Sequence, residues 1–339
     1  MKIVAPISRI PDIEAVARAG ANELYCGIVP REWLQAFGAA TANRRPTGNL
    51  ASSEDLRCAV ATAHEHGCTL ALTLNAQQYS ADQTAAALEI AAAFLEMGGD
   101  ALIISDLGLM QAVSESLPSA RIHVSSVATC RNANAVRFYQ KLGAARVILP
   151  RDVMLEEAVE IAADVPDVEI EVFVLNDGCV FEEGVCNTIH LPNQLGGPIC
   201  LDKYHYVYRR RDGRDLSARL QRLAAETDRE YQKWLWYRFS CGFSSTPDGL
   251  PYGPCALCAV PRLRSGGVSA VKIAGREAST ARKVASVKMV RKIVEAAAAG
   301  APERAVAELA RNLRPSPEHC ATGYMCYYPE VVTSFVENQ

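Results

Sequence analysis

The sequence lacks the apolar runs that would place it in or across a membrane. No stretch approaches the roughly 18 apolar residues that a membrane-spanning helix needs. The opening residues, MKIVAPISRI, contain no apolar region typical of a secretory signal. At 339 residues and 49% apolar content, the chain can bury a large core in one big domain or two ordinary ones. We therefore expect a globular, cytoplasmic protein with no membrane span.

The chain also has little net charge. Its formal charge of -3 argues against a general nucleic-acid-binding surface, although Arg209, Arg210, Arg211 and Arg214 form a local basic run. Two common enzyme signatures are missing as well. No H-E-x-x-H helix and no recognisable nucleophile motif supports a protease, and no glycine-rich phosphate loop follows the first apolar run.

Short apolar runs that alternate with helical patterns dominate the rest of the chain. The predicted strands are Lys2 to Pro6, Glu23 to Cys26, Cys68 to Leu74, Ala101 to Ser105, Arg121 to Ser125, Arg146 to Leu149, Glu169 to Leu175 and Ser269 to Ile273. A doubly wound open sheet would give the same alternation, but the count of eight and the missing phosphate loop favour a (β/α)8 barrel. Residues 28 to 50 are predicted to form a long loop.

Polar residues recur just past the carboxyl ends of these strands. In a barrel they would line one mouth, where active sites are found. We expect Asn75, Asp106, Arg151 and Asn176 to be catalytic and Ser125, beside Ser126, to contact substrate. Strand-to-helix loops are often polar for reasons of turn chemistry alone, so the joint placement of these residues carries more weight than any one identity.

Six of the twelve cysteines fall between residues 176 and 266, in a segment rich in glycine and proline. They are Cys179, Cys186, Cys200, Cys241, Cys255 and Cys258. Thiols in a reducing compartment indicate metal binding more than disulfides, and thiolates select zinc or iron-sulfur clusters. Only Cys255 and Cys258 have the close spacing of a zinc-ribbon pair. Cys26, Cys58, Cys68 and Cys130 fit the alternative of ordinary structural cysteines.

Several blocks of the sequence resemble the peptidase U32 family over nearly the whole barrel. The blocks are APISRIPDIEAVARAGANELYCG, DALIISDLG, HVSSVATCRNANAVRFYQKLGAARVILPRD, GCVFEEGVC and SAVKIAGRE. Members include the paired accessory proteins of anaerobic ubiquinone synthesis and proteins of tRNA and ribosomal RNA hydroxylation. The resemblance implies an oxygen-independent hydroxylase or related redox enzyme, with prephenate as a hydroxyl donor and a small aromatic molecule or RNA as substrate. Two alternatives are a U32-type peptidase and a non-catalytic iron-sulfur subunit that pairs with a second U32 chain.

The resemblance also implies a [4Fe-4S] cluster on four cysteines at the barrel mouth. The first three ligands match Cys179, Cys186 and Cys200, while the fourth stays open among Cys255, Cys258 and Cys241. The chain departs from the shorter members in its tail, HCATGYMCYYPE, which carries Cys320 and Cys326. Neither tail cysteine is expected to be an essential ligand, because four other positions already complete a thiolate shell.

Two cations near the last strand suggest an anion site. Lys272 lies on the eighth predicted strand and Arg276 just after it, where barrels often bind phosphate or carboxylate, and a doubly acidic donor would favour at least two cations. The alternative is an ion pair with Glu277 or Asp106 that only fixes the strand.

The predicted organisation has four segments. These are the first seven strands with their helices at 1–175, a cysteine-rich insert at 176–266, the last strand and helix at 267–300, and a C-terminal extension at 301–339. Within the insert, a helix from Leu216 to Phe239 carries an aromatic and leucine stripe that is expected to pack against the barrel or another subunit.

Overall fold

Eight parallel strands close into a barrel in chain order. The structure, a computed structural model, describes residues 1–38, 42–45, 47–176, 179, 183–186, 206–237 and 242–331. The strands are β1 (Lys2–Pro6), β2 (Glu23–Gly27), β3 (Thr69–Leu74), β4 (Ala101–Ile104), β5 (Ile122–Val124), β6 (Ala144–Ile148), β7 (Glu169–Leu175) and β8 (Ala270–Ile273). Strand β1 pairs with both β2 and β8, which completes the closure. The predicted (β/α)8 barrel is thus confirmed, with strand ends shifted by at most two residues.

Helices follow the strands, and all but α8 bury side chains. They are α1 (Ile10–Ala19), α2 (Arg31–Phe37), α3 (Ser53–Glu65), α4 (Ala81–Glu96), α5 (Leu107–Ser116), α6 (Ala133–Lys141), α7 (Leu155–Asp164), α8 (Ala218–Leu235), α9 (Val260–Ser265), α10 (Thr280–Ala298), α11 (Glu303–Leu313) and α12 (His319–Thr322). Ser52, Ser80 and Asn132 cap three of these helices, since each accepts a hydrogen bond from a first-turn backbone amide. No helix in the described part of the chain has the length and apolar content to cross a membrane.

Helix α2 corrects the prediction that residues 28 to 50 form only a loop. Pro30 lies directly before its first residue, a position suited to the fixed φ of proline. Trp33 is buried and packs edge-on against Phe37 and Tyr79, with ring centroids 5.0 and 5.9 Å apart. This packing against residues beyond β3 stabilises a seven-residue segment that has weak periodicity of its own.

The lower half of the barrel lumen is charged, which the sequence did not predict. Arg146 on β6 is buried and donates to Glu23, Glu169 and Glu171, with its contact to Glu171 measuring 2.8 Å. Lys272 on β8 donates to the second oxygen of Glu171, also at 2.8 Å. Alternate strand residues point into a barrel, so the alternation of Glu169 and Glu171 along β7 places both carboxylates inside.

The C-terminal extension returns to the barrel beside β7. The backbone of Cys255 forms an isolated β-bridge with Leu175 at the end of β7 and another with Cys326 in the extension. The Arg314 guanidinium donates to the carbonyl oxygens of Gly253 and Tyr252, each at 2.7 Å. The extension therefore holds residues 252–255 against the mouth end of the barrel.

Helix α8 confirms the predicted helix in the insert but not its packing against the barrel. None of its residues is buried, and Leu223 is 56% exposed. Its carboxyl-terminal half instead contacts the extension, where the Tyr324 hydroxyl donates to Glu230 at 2.5 Å.

Candidate active site

A small cavity lies at the carboxyl ends of the strands. The space in it that the centre of a water molecule can occupy is about 70 Å³, enough for several water molecules. Its lining combines cations, hydroxyls and aromatic rings, including Tyr25, Arg44, Arg45, Thr73, Asn75, Ser125, Ser126, Arg151, Phe173, Lys272 and Arg276. Five of the predicted site residues, Asn75, Ser125, Arg151, Lys272 and Arg276, therefore meet at one cavity.

Arg276 is buried and holds the loop above the mouth. Its guanidinium donates to Asn43 at 3.0 Å, to Thr73 at 2.9 Å and to Asn49 at 3.2 Å. Burial lowers its pKa below the ordinary arginine value. A Cβ added at Gly27 would lie 1.9 Å from the Arg276 side chain, so the close approach of β2 requires glycine there.

Lys272 connects the cavity to the charged network beneath it. Its ammonium lies 3.9 Å from the centre of the Tyr25 ring and is paired with Glu171. Burial lowers the lysine pKa, and the Glu171 carboxylate opposes that effect. The observed carboxylate partner is thus Glu171, rather than the Glu277 or Asp106 considered from the sequence.

Arg151 and the pair of Asn75 and Ser125 form the opposite wall. The Arg151 guanidinium lies 3.8 Å above the Phe173 ring, a cation–π contact that fixes its plane. The Asn75 amide donates to the Ser125 hydroxyl at 3.2 Å. This wall offers polar atoms from the ends of β3, β5 and β6 and an aromatic ring from β7.

Asp106 and Asn176 make structural contacts beside the cavity. Asp106 is the N-cap of α5 and accepts from the Leu109 amide at 2.8 Å. Asn176 is buried with a left-handed φ of 68°, and its side-chain amide donates to Ser286 at 2.9 Å. Its carbonyl oxygen accepts from the Tyr327 hydroxyl. Neither residue belongs to the cavity lining.

Arg44, Arg45 and Tyr25 also line the cavity, although they were not predicted as site residues. Arg44 is buried and donates to Gln77 at 3.4 Å, while Tyr25 donates to the Ile273 carbonyl oxygen at 2.9 Å. Two adjacent arginines in the loop after β2 were a usable signal, because loops at this end of a barrel carry binding residues.

Cys179 and Cys186, both half-buried, flank a short 3₁₀ turn at Glu183–Val185. The Gly184 carbonyl oxygen accepts from Gln77 at 3.3 Å, and a Cβ added at Gly184 would lie 2.1 Å from Thr129. Glycine is therefore required where this turn packs against residues after β3 and β5. Gln77 also contacts Arg44, so the turn between the two cysteines lies at the rim of the mouth.

Cys255 and Cys258 lie on the other side of the mouth, with the tail cysteines. The Cys255 amide donates to Met325 at 2.8 Å, and the Tyr327 amide donates to the Cys255 carbonyl oxygen at 3.0 Å. Burial raises the pKa of Cys258 to about 12, and the neighbouring Cys255 and Cys320 thiols add to that shift. Cys200 and Cys241 lie outside the described residues.

Across the described residues, no group of three histidine, cysteine, aspartate or glutamate side chains is arranged to hold a metal ion. The donor chemistry still suits a soft metal, because the two described cysteine groups both lie beside the mouth. The described residues therefore supply thiols of the right type but not a complete ligand set.

A family model described as Peptidase family U32 matches residues 8–334. The chain belongs to peptidase family U32. Among U32 relatives, tRNA hydroxylation protein P of Escherichia coli is 33% identical over 185 residues, covering 55% of this chain and 38% of the relative. The 23S rRNA 5-hydroxycytidine C2501 synthase of the same organism is 26% identical over 139 residues, covering 41% of this chain and 20% of the relative.

A solved U32 peptidase structure has a TM-score of 0.42 and 14% identity, covering 51% of this chain and 68% of that chain. This U32 chain spans well under two thirds of the length of the Escherichia coli relatives it matches.

Proposed function

We infer that this U32 protein is an oxygen-independent hydroxylase that acts on RNA. The observation that carries the proposal is the mouth cavity, where cations from several strand ends surround a small space beside a cysteine-bearing turn. Relatives named for tRNA and ribosomal RNA hydroxylation support RNA as the substrate class.

The residues at the mouth suit a small dicarboxylate hydroxyl donor, such as the prephenate implied for this family. Arg44, Arg45 and Arg151 supply cations at the cavity, and an arginine fork matches a carboxylate in two hydrogen bonds. Lys272 lies deeper and is already paired with Glu171, so its role is to hold positive charge beneath the bound group. Arg276 orders the loop that contains Asn43 and Asn49 beside the cavity.

A [4Fe-4S] cluster would supply electron transfer when bound. Cys179 and Cys186 would hold it together with Cys200, and the fourth thiolate would come from Cys241, Cys255 or Cys258. The position of the Cys179 and Cys186 turn against Gln77 supports a cluster at the mouth. The chain's own residues would bind the donor and keep its carboxylates fixed.

The function is tested by comparing RNA from cells with and without the gene. We expect nucleoside mass spectrometry of digested tRNA and ribosomal RNA to show a nucleoside, one oxygen atom heavier than its precursor, that disappears on deletion. The wild-type gene should restore it under anaerobic growth. Identical oxygenated nucleosides in deletion and wild-type cells would count against RNA hydroxylation by this chain.

A separate prediction concerns the anion site. Replacing Arg151 with glutamine should weaken prephenate binding about tenfold to a hundredfold, because a hydrogen bond to a charged group contributes about 1.5–3 kcal/mol. Arg276→Ala should also weaken it, since the loop loses its anchor. Calorimetric titration under anaerobic conditions measures both effects.

The matched control is Arg131→Gln, which removes a half-buried arginine paired with Asp152 at 2.8 Å. Arg131 is not among the cavity-lining residues. This control should bind prephenate like the wild type. Unchanged affinity in a folded Arg151→Gln protein would place the donor site elsewhere.

A further inference from the structure

We propose that the segment from Tyr206 to Trp236 is an RNA-docking surface that delivers substrate to the barrel mouth. The proposal rests on the RNA hydroxylase function proposed above. Helix α8 is 18 residues long, about 27 Å, and none of its residues is buried. A helix that buries no side chain in its own fold gains little from tertiary packing, so a partner is needed to explain its exposed face.

The amino-terminal part of this surface is strongly basic. Residues 206–223 contain six arginines and two aspartates, a net charge of +4 in a chain whose total is -3. The arginines are Arg209, Arg210, Arg211, Arg214, Arg219 and Arg222, all exposed. Asp212 pairs with Arg210 at 3.0 Å, whereas no ion pair within the described ranges involves Arg209, Arg211, Arg219 or Arg222. Unneutralised arginines on an acidic protein select a polyanion.

Aromatic rings lie along the same surface. Tyr206 is 6.4 Å from Tyr208 and 6.0 Å from Tyr231, and Tyr231 stacks on Trp234 at 6.0 Å with an interplanar angle of 28°. Tyr206 and Tyr208 are nearly half exposed. Exposed rings next to arginines in the chain, as in Tyr206 to Arg211, suit the binding of single-stranded or flipped bases, because bases stack on rings while phosphates pair with arginines.

The surface is joined to the mouth through the C-terminal extension. Tyr237 packs on His319 and Tyr324, with ring centroids 4.9 and 5.6 Å apart. The Tyr324 hydroxyl also donates a hydrogen bond to the Glu230 carboxylate. Further along the extension, Tyr327 packs against Phe173, which lines the cavity, at 6.5 Å. RNA held on α8 would therefore be linked to the cavity by the extension, which packs against the end of α8 through Tyr324 and against the cavity wall through Tyr327.

The test measures binding of a fluorescently labelled tRNA transcript to the full chain, purified anaerobically, over a range of salt concentrations. A variant with Arg209, Arg211, Arg219 and Arg222 changed to glutamine should bind at least tenfold more weakly. The slope of the logarithm of its binding constant against the logarithm of the salt concentration should be smaller in magnitude by about two to four. A matched control changes Lys141, Lys288, Lys292 and Arg304 to glutamine. These four are also exposed but lie on α6, α10 and α11. The control should bind within about twofold of wild type.

A second variant separates stacking from charge. Changing Tyr206 and Tyr208 to leucine should weaken binding about tenfold while leaving the salt dependence unchanged, because ring stacking involves no counterion release. Equal losses in the α8 arginine variant and the control would mean that overall charge, not this surface, sets the affinity. Unchanged RNA binding together with an altered sedimentation coefficient would make the surface an interface between copies of the chain. Either result overturns the proposal.

Nucleoside analysis of cells that carry the same variants shows whether a failure lies in the docking surface or in the proposed hydroxylase function. A wild-type protein that binds tRNA through α8 yet adds no oxygen to any nucleoside would refute the hydroxylase and leave the docking surface intact. Full oxygenation by the arginine variant, with wild-type RNA affinity, would refute the surface and leave the hydroxylase intact.

Discussion

Replacing Cys179 with alanine should remove most of the iron and acid-labile sulfide from anaerobically purified protein and abolish RNA oxygenation. A [4Fe-4S] cluster needs four thiolates, and a three-cysteine shell leaves one iron exposed to loss. Cys179 is the first cysteine after β7, and its turn packs at the rim of the mouth through Gln77. Iron and sulfide assays, with the absorbance of the cluster, give the readout.

Two further variants make this result specific. Cys58→Ala removes an exposed cysteine on α3 and should retain iron and activity. Cys320→Ala should also retain iron, because the tail cysteine is predicted to be outside the ligand set. Iron loss in a folded Cys320→Ala protein would instead assign the cluster to the group of Cys255, Cys258, Cys320 and Cys326. Stoichiometric zinc without sulfide in the wild type would rule out the cluster.

Replacing Arg146 with methionine should destabilise the protein by about 3–5 kcal/mol at pH 7, because it leaves several carboxylates in the lumen without their central cation. The wild-type guanidinium is buried and contacts Glu23, Glu169 and Glu171. Urea unfolding of the two proteins measures the difference. The control Arg121→Met removes a half-exposed partner of Glu169, 2.9 Å away, and should cost no more than about 1 kcal/mol.

The same network predicts the response of stability to pH. Burial would raise the pKa of Glu23 and of Glu169, but hydrogen bonds and charge from Arg146 outweigh burial and bring both to about 2. Because these values lie below the ordinary 4.5, the stabilisation is complete above about pH 5 and is lost as the pH falls towards 2. In Arg146→Met the unfolding free energy should fall less steeply over that range. Parallel pH profiles for the two proteins would show that Arg146 does not set these carboxylate pKa values.

The sequence by itself determined the barrel and the alternation of its strands with helices. Local patterns carry this information, because eight apolar runs at regular spacing define strands and a serine such as Ser80 marks where a helix begins. The same ordering predicted which side chains reach the mouth, since the residue after a barrel strand faces one end. Asn75, Ser125 and Arg151 meet there for that reason.

Only the tertiary structure decided which charges and thiols are partners. Arg146 and Glu23 are 123 positions apart and meet across the closed lumen, so no local pattern reports their contact. Lys272 is paired with Glu171, and Arg276 is anchored by Asn43, Asn49 and Thr73, because strand register and loop closure place those acceptors beside them. Cys255 lies beside Cys326 for the same reason, because a backbone β-bridge joins these two residues, which are 71 positions apart. Periodicity fixes which way a side chain points, whereas its partner depends on how distant segments pack.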